Sequence, residues 1–161
     1  MKKILFYTFF SMTLMLASCK KKKKTTMNTS SKTPFIWEGA NLYFLLTDRF
    51  KDGNENKEIY FDRTKTAGKL RGFEGGNIKG VIQKIEEGYF EKLGINAIWL
   101  TPIVEQIHDG VDEGTGLSYG FHGYWARDWT ALDPNFGTKE DLALLVQKAH
   151  SKGIRIVLDG V

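Results

Sequence analysis

The stretch Ile95–Leu100, "INAIWL", is mostly apolar on both sides of an extended chain, and it directly follows a helix stop at Gly94. Apolar runs of this length are typical of strands buried on both faces of a parallel sheet, whereas half-buried strands alternate apolar and polar residues. Two similar runs are Asn41–Leu46, "NLYFLL", and Ile154–Leu158, "IRIVL". The sequence therefore predicts three buried strands.

Two helical patterns separate these strands. The first begins at Asn77, a favourable N-cap residue, and ends at Gly94. Its apolar positions, spaced by three and four, are Ile78, Val81, Ile82, Ile85, Tyr89 and Leu93. The second begins at Thr138, which with Asp141 resembles a capping box, and ends at Gly153. The order of elements is therefore strand, helix, strand, helix, strand.

This alternation favours right-handed βαβ units and a parallel sheet. A doubly wound sheet usually carries phosphate-binding glycines in its first tight βα turn. In this chain the βα loops are long, and the glycine-rich "GFEGGN" lies far from the preceding strand. We therefore expect residues 35–161 to form the N-terminal portion of a (β/α)8 TIM barrel, about three βα units, truncated after strand three.

The N-terminus has the pattern of an export signal. Two lysines precede an apolar run over Ile4–Ala17, too short to span a bilayer, and "LASC" ends at Cys19. This ending resembles the lipobox of bacterial lipoproteins, which predicts a signal peptide over residues 1–18 and acylation of Cys19. A plain signal peptide with an incidental cysteine is the alternative.

The positive charge is concentrated near the N-terminus. The chain has a net charge of +4, but without Lys2, Lys3 and the run Lys20–Lys24 only 16 basic residues face 19 acidic ones. We interpret residues 19–34 as a solvated tether whose lysines lie beside a membrane surface. An exported chain with an acidic body is a poor candidate for nucleic-acid binding, and no protein partner is evident.

A glycine-hinged aromatic loop follows the second strand. The segment Ser118–Trp129, "SYGFHGYWARDW", combines large aromatic rings with polar side chains. The C–H face of a pyranose packs on an aromatic ring, and its hydroxyls require polar partners around it. In a barrel the loops after the strands form the functional face. From spacing alone, the rings could equally serve only to pack this loop onto the barrel rim.

Six segments together resemble the α-amylase family, glycoside hydrolase family 13. In chain order they are "YFLLTDRFKDGN", "GGNIKGVIQKI", "LGINAIWLTPIVE", "GFHGYWARDW", "DPNFGT" and "GIRIVLDGV". The resemblance implies that Tyr124 stacks under the sugar on the non-reducing side of the scissile bond, and that His122 and Trp125 bind the next sugar. It implies that Asp159 supports the active site without cleaving the bond. The catalytic nucleophile and acid/base would lie beyond Val161.

The loop after the first strand contains oxygen-bearing side chains at close spacing. Asp52, Asn54 and Asn56 could wrap a hard cation, although a polar turn would have the same composition. Several members of the family bind calcium in this loop with help from a later Gly-Gly-Asp. This chain has Gly75, Gly76 and Asn77 at that place, so the resemblance makes calcium a candidate cofactor with one ligand charge missing.

The function implied by the resemblance is retaining hydrolysis of α-glucans such as starch or maltooligosaccharides by a membrane-anchored enzyme. A transglycosylase of the same family, of the cyclodextrin-forming type, is an alternative. A non-catalytic sugar-binding lipoprotein is a second alternative, because retaining glycosidases need two carboxyl groups that this chain is not expected to contain. We expect the chain by itself to be inactive.

Overall fold

A computed structural model describes residues 34–54 and 58–160, all within one compact unit, Ser31–Val161. Cys19, the predicted signal peptide and the predicted tether except for Pro34 lie outside the described residues. The strands are β1 Leu42–Leu45, β2 Ala97–Leu100, β3 Val104–Gln106, β4 Val111–Asp112, β5 Leu117–Ser118, β6 Ala126–Leu132 and β7 Arg155–Leu158. The α-helices are α1 Thr47–Phe50, α2 Ile78–Glu86, α3 Tyr89–Lys92 and α4 Lys139–Ser151. A 3-10 turn spans Trp37–Gly39.

The central sheet consists of β1, β2 and β7, all parallel, with β2 in the middle. Tyr43 pairs with Ile98, and Ile98 pairs with Ile156. The three strands predicted from their apolar runs are therefore confirmed, as is their parallel arrangement. Helices α2 and α4 pack against each other and bury a shared core with the sheet. Its fully buried members include Ile78, Val81, Phe90, Ile98, Leu100 and Leu145.

Burial on both faces holds only for the middle strand. Ala97, Ile98 and Leu100 of β2 are fully buried, whereas Phe44 of β1 and Leu158 of β7 are about half exposed. The expectation of full burial is wrong for the two outer strands. In the described chain, each outer strand has a hydrogen-bonding neighbour on one edge only.

The predicted first helix is interrupted. Gly88 adopts a left-handed conformation with φ of 70°, which separates α2 from α3. A continuous three-and-four pattern does not reveal this break, because Tyr89 and Phe90 still pack onto the core after it. The predicted caps are confirmed: Asn77 Oδ1 accepts the Gly80 N–H at 3.0 Å, and Thr138 with Asp141 forms a capping box.

The long loop between β2 and α4 has its own structure. β3 pairs antiparallel with β6. β4 also pairs antiparallel with β5, and each of these two strands has two residues. The sequence predicts only a loop in this region. Its return to α4 is tied down by Asp133, whose Oδ2 lies 2.8 Å from an Arg63 guanidinium nitrogen, with both side chains fully buried. Among residues 34–54 and 58–160, no helix is long and apolar enough to cross a lipid bilayer.

Candidate functional site

The parallel sheet gathers its functional residues at one edge. Asp48 follows β1, Thr101 follows β2 and Asp159 follows β7, so all three lie past the carboxyl ends of neighbouring strands. This edge is the functional face of βα units in barrels. The Thr47 N–H donates to Thr101 Oγ1 at 3.2 Å, which joins the first two strand ends directly.

Tyr124 reaches this edge from the loop between β2 and α4. Its hydroxyl donates to Asp159 Oδ2 at 2.7 Å, while the side chain stays accessible with the residue 42% exposed. The hydrogen bond to the Asp159 carboxylate raises the pKa of Tyr124, so the phenol remains a donor at neutral pH. The structure thus brings together two predicted site residues that are 35 positions apart, and leaves the Tyr124 side chain partly accessible.

His122 and Trp125 lie beside Tyr124. The His122 and Tyr124 rings are nearly parallel with centroids 5.9 Å apart, and the Trp125 ring meets His122 edge-on at 4.8 Å. His122 Nδ1 accepts the Tyr124 N–H at 2.9 Å, which requires an unprotonated Nδ1. Burial lowers the pKa of His122 and so favours the neutral ring that this bond needs. The three predicted sugar-binding side chains therefore form one cluster.

The backbone under this cluster closely approaches Pro102, in the segment that follows β2. Gly123 has φ of 91°, and a Cβ built on it would lie 2.2 Å from the carbonyl oxygen of Pro102. Gln106 supports the backbone two residues further on, since its Oε1 accepts the Trp125 N–H at 2.7 Å. Glycine is required at position 123 because the backbone φ is positive and because no Cβ fits beside the Pro102 carbonyl oxygen.

Arg49 is a site residue that the sequence analysis missed. Its guanidinium forms an ion pair with the Asp48 carboxylate, with Nε 2.8 Å from Oδ2, and donates a hydrogen bond to the Gly72 carbonyl oxygen at 2.7 Å. It also lies 3.9 Å from the centroid of the Phe121 ring. It therefore links the loop after β1 to the aromatic loop. The only sequence signal was its place next to an acidic residue directly after a strand.

Asp48 is a buried carboxylate that holds a glycine-rich loop. Its two oxygens accept the N–H groups of Glu74 and Gly75 at 2.9 to 3.1 Å. Burial raises the pKa of Asp48, and the two backbone donors and the Arg49 charge oppose that increase. Asp48 thus positions the loop that leads to Asn77.

The predicted calcium ligands lie in a different place from the aromatic cluster. Asp52, Asn54, Gly75 and Asn77 line one cavity of about 510 Å³, and Asn56 lies outside the described residues. Within residues 34–54 and 58–160, no group of three or more His, Cys, Asp or Glu side chains is arranged to hold a metal ion. Asn77 directs its amide N–H groups at Asp52 Oδ1 and the Gly75 carbonyl oxygen. These oxygens already receive donors, so the described residues do not fit a calcium ion.

The sheet and its gathered loops define a class: a parallel α/β fold whose polar and aromatic residues gather at the carboxyl ends of the strands, as they do in α/β barrels. A family model described as "Alpha amylase, catalytic domain" matches residues 44–161. The chain belongs to the α-amylase family.

Named relatives agree with this assignment. The periplasmic α-amylase of Escherichia coli K12 is 41% identical over 137 residues, covering 83% of this chain and 20% of the relative. A cyclomaltodextrin glucanotransferase of Niallia circulans is 40% identical over 119 residues, covering 73% and 17%. The crystal structure of the Geobacillus thermoleovorans α-amylase complexed with acarbose matches with a TM-score of 0.58 and 33% identity, covering 78% and 23%. The chain thus spans about a fifth of the length of the curated relatives it matches.

Proposed function

We propose that this chain forms the N-terminal part of the catalytic barrel of an enzyme that hydrolyses α-glucans such as starch or maltooligosaccharides. The observation that carries the proposal is the exposed Tyr124 ring, oriented by its hydrogen bond to Asp159 at the functional edge of the sheet. Membership of the α-amylase family supports it. So does a matched relative whose structure contains acarbose.

In this proposal the aromatic cluster binds sugar and does not break bonds. The Tyr124 ring packs on the C–H face of a glucosyl unit, and its hydroxyl is held by Asp159. His122 and Trp125 contact the next sugar outward. Asp159 acts as a positioning residue. Retaining cleavage needs a nucleophile and an acid/base about 5 Å apart, which we assign to parts of the enzyme outside this chain.

The test compares two proteins in a reducing-sugar assay on soluble starch: residues 19–161 and the longest protein that the gene encodes. We expect hydrolysis only from the longer protein. Changing either its nucleophile or its acid/base carboxylate to the corresponding amide should abolish that activity. Starch hydrolysis by residues 19–161 would contradict the assignment of the carboxylates. Sugar binding without hydrolysis by the longest protein would favour the non-catalytic lipoprotein.

Transglycosylation is a second candidate, because cyclomaltodextrin glucanotransferases are among the matched relatives. Both reactions pass through a glycosyl-enzyme that water or a sugar hydroxyl then attacks. Chromatography of the products from one purified maltooligosaccharide distinguishes them. Shorter linear products alone indicate hydrolysis, whereas cyclic or longer products indicate transfer.

Tyr124→Ala is expected to lower kcat/KM of the active enzyme on maltooligosaccharides by about five- to 150-fold, since the lost stacking face is worth about 1–3 kcal/mol at the reacting sugar. Tyr124→Phe is the matched variant, because it keeps the ring and removes only the bond to Asp159. We expect Tyr124→Phe to keep most of the kcat/KM that Tyr124→Ala loses. Wild-type kcat/KM in Tyr124→Ala would show that the ring only packs the loop.

We further propose export and lipid anchoring through Cys19, supported by "LASC" and by a periplasmic relative. An acyl chain and the Lys20–Lys24 run would together hold the protein at the membrane. Labelled palmitate should enter the wild-type protein and not a Cys19→Ala variant. Equal labelling of both proteins would rule out acylation at Cys19.

A further inference from the structure

We propose that the loop around Asp52 is a calcium-independent form of the family's cation site, in which the side-chain amide of Asn77 replaces the ion. This inference concerns stability and metal dependence, and it goes beyond the proposed glucan hydrolysis. It rests on the hydrogen bonds that the loop oxygens make.

Asn77 makes four hydrogen bonds from a side chain that is almost fully buried. Its Oδ1 accepts the N–H groups of Gly80 at 3.0 Å and Gly53 at 3.2 Å. Its Nδ2 donates to Asp52 Oδ1 at 3.1 Å and to the Gly75 carbonyl oxygen at 3.0 Å. The opposite amide orientation would face two donors with a donor and two acceptors with an acceptor, so the partners determine which end is nitrogen.

Neighbouring oxygens of the loop are also occupied by N–H donors. Asp52 Oδ1 accepts a second bond from the Asn54 N–H at 2.9 Å, and the Gly53 carbonyl oxygen accepts one from Gln83 Nε2 at 3.2 Å. A calcium ion would need these oxygens at about 2.3–2.6 Å and would have to displace the amides. Lys79 also lines the cavity.

An aspartate at position 77 would reverse this situation. One carboxylate oxygen could still accept the N–H groups of Gly80 and Gly53, but the other would face Asp52 Oδ1 and the Gly75 carbonyl oxygen with no proton between them. Three acceptors with no donor between them repel one another, and a divalent cation between them removes the repulsion. The single difference between amide and carboxylate therefore decides whether the loop needs a metal ion.

The experiment measures Ca²⁺ binding by titration calorimetry, and thermal unfolding in EDTA and in excess CaCl₂, on the longest protein that the gene encodes. We expect wild type to unfold at the same temperature in both buffers. Asn77→Asp should unfold several degrees lower in EDTA than in CaCl₂ and should bind Ca²⁺ at least about tenfold more tightly than wild type. Asn96→Asp is the matched control, since it adds the same charge where Asn96 bonds Asn41 and no carboxylate is a partner.

Two results would overturn the proposal. The first is a wild-type protein that loses stability in EDTA and recovers it with CaCl₂, a measurement that does not depend on any variant. The second is an Asn77→Asp protein that does not respond to Ca²⁺. Such a protein would either fold and unfold at the same temperature in EDTA and in CaCl₂, or be unfolded in EDTA and remain unfolded when CaCl₂ is added. Starch hydrolysis tests the proposed function separately, so either conclusion can fail alone.

Discussion

Arg63→Ala is expected to lower the free energy of unfolding by about 3–5 kcal/mol, because it leaves the fully buried Asp133 carboxylate without its countercharge. The guanidinium bonds Asp133 Oδ2 at 2.8 Å and the Gln106 carbonyl oxygen at 2.7 Å. It also lies about 5 Å from the ring centroids of Phe61 and Phe73. One substitution thus removes an ion pair, a hydrogen bond and two cation–π contacts.

Removing both charges is not expected to restore stability. Asp133 also accepts the Gln106 N–H at 3.0 Å and two donors from Asn135, its N–H and its Nδ2. In Arg63→Ala/Asp133→Ala these donors lose their acceptor inside the protein, which costs free energy even without an unpaired charge. The ion pair therefore connects three segments that are distant along the chain.

Urea unfolding of the wild-type and variant proteins measures these changes. Lys152→Ala is the control, since its pair with Glu91 is about 40% exposed on each side and such pairs contribute at most about 1 kcal/mol. If Arg63→Ala were no more destabilising than Lys152→Ala, the buried pair would not hold the loop as we describe.

Gly123→Ala is expected to lower kcat/KM of the active enzyme by about a hundredfold, because misplacing a binding group by about 1 Å has effects of this size. The new Cβ would meet the Pro102 carbonyl oxygen at 2.2 Å, and φ of 91° is unfavourable for alanine. The backbone must therefore move, and the next residue in the chain is Tyr124. We also expect a loss of stability of about 1–3 kcal/mol or more from strain and overpacking.

Gly94→Ala separates strain from displacement. Gly94 has φ of 71°, and a Cβ on it would meet no atom within 4 Å. This control should lose about 1–2 kcal/mol of stability with little change in kcat/KM. Equal catalytic losses in the two variants would mean that the contact with Pro102 does not position the aromatic loop.

The sequence predicts elements whose signals are local. The apolar runs indicate β1, β2 and β7, and the side chains of Asn77 and Thr138 identify helix starts, because each pattern reports on a few neighbouring residues. The break at Gly88 is local as well, but glycine in a helical pattern is compatible with either continuation or a left-handed turn.

The sequence alone also determined the family, since its six segments carry that resemblance, and the resemblance singled out Tyr124, His122 and Trp125, which are close along the chain. The tertiary structure decided the pairings between distant residues. Arg63 meets Asp133 across 70 positions, and Tyr124 meets Asp159 across 35. The sequence suggested Asn77 both as a helix cap and as a calcium ligand. Its cap is confirmed, and its contacts with Asp52 and Gly75 support our proposal that the amide replaces the ion, because the direction in which a buried amide points depends on partners that folding brings to it.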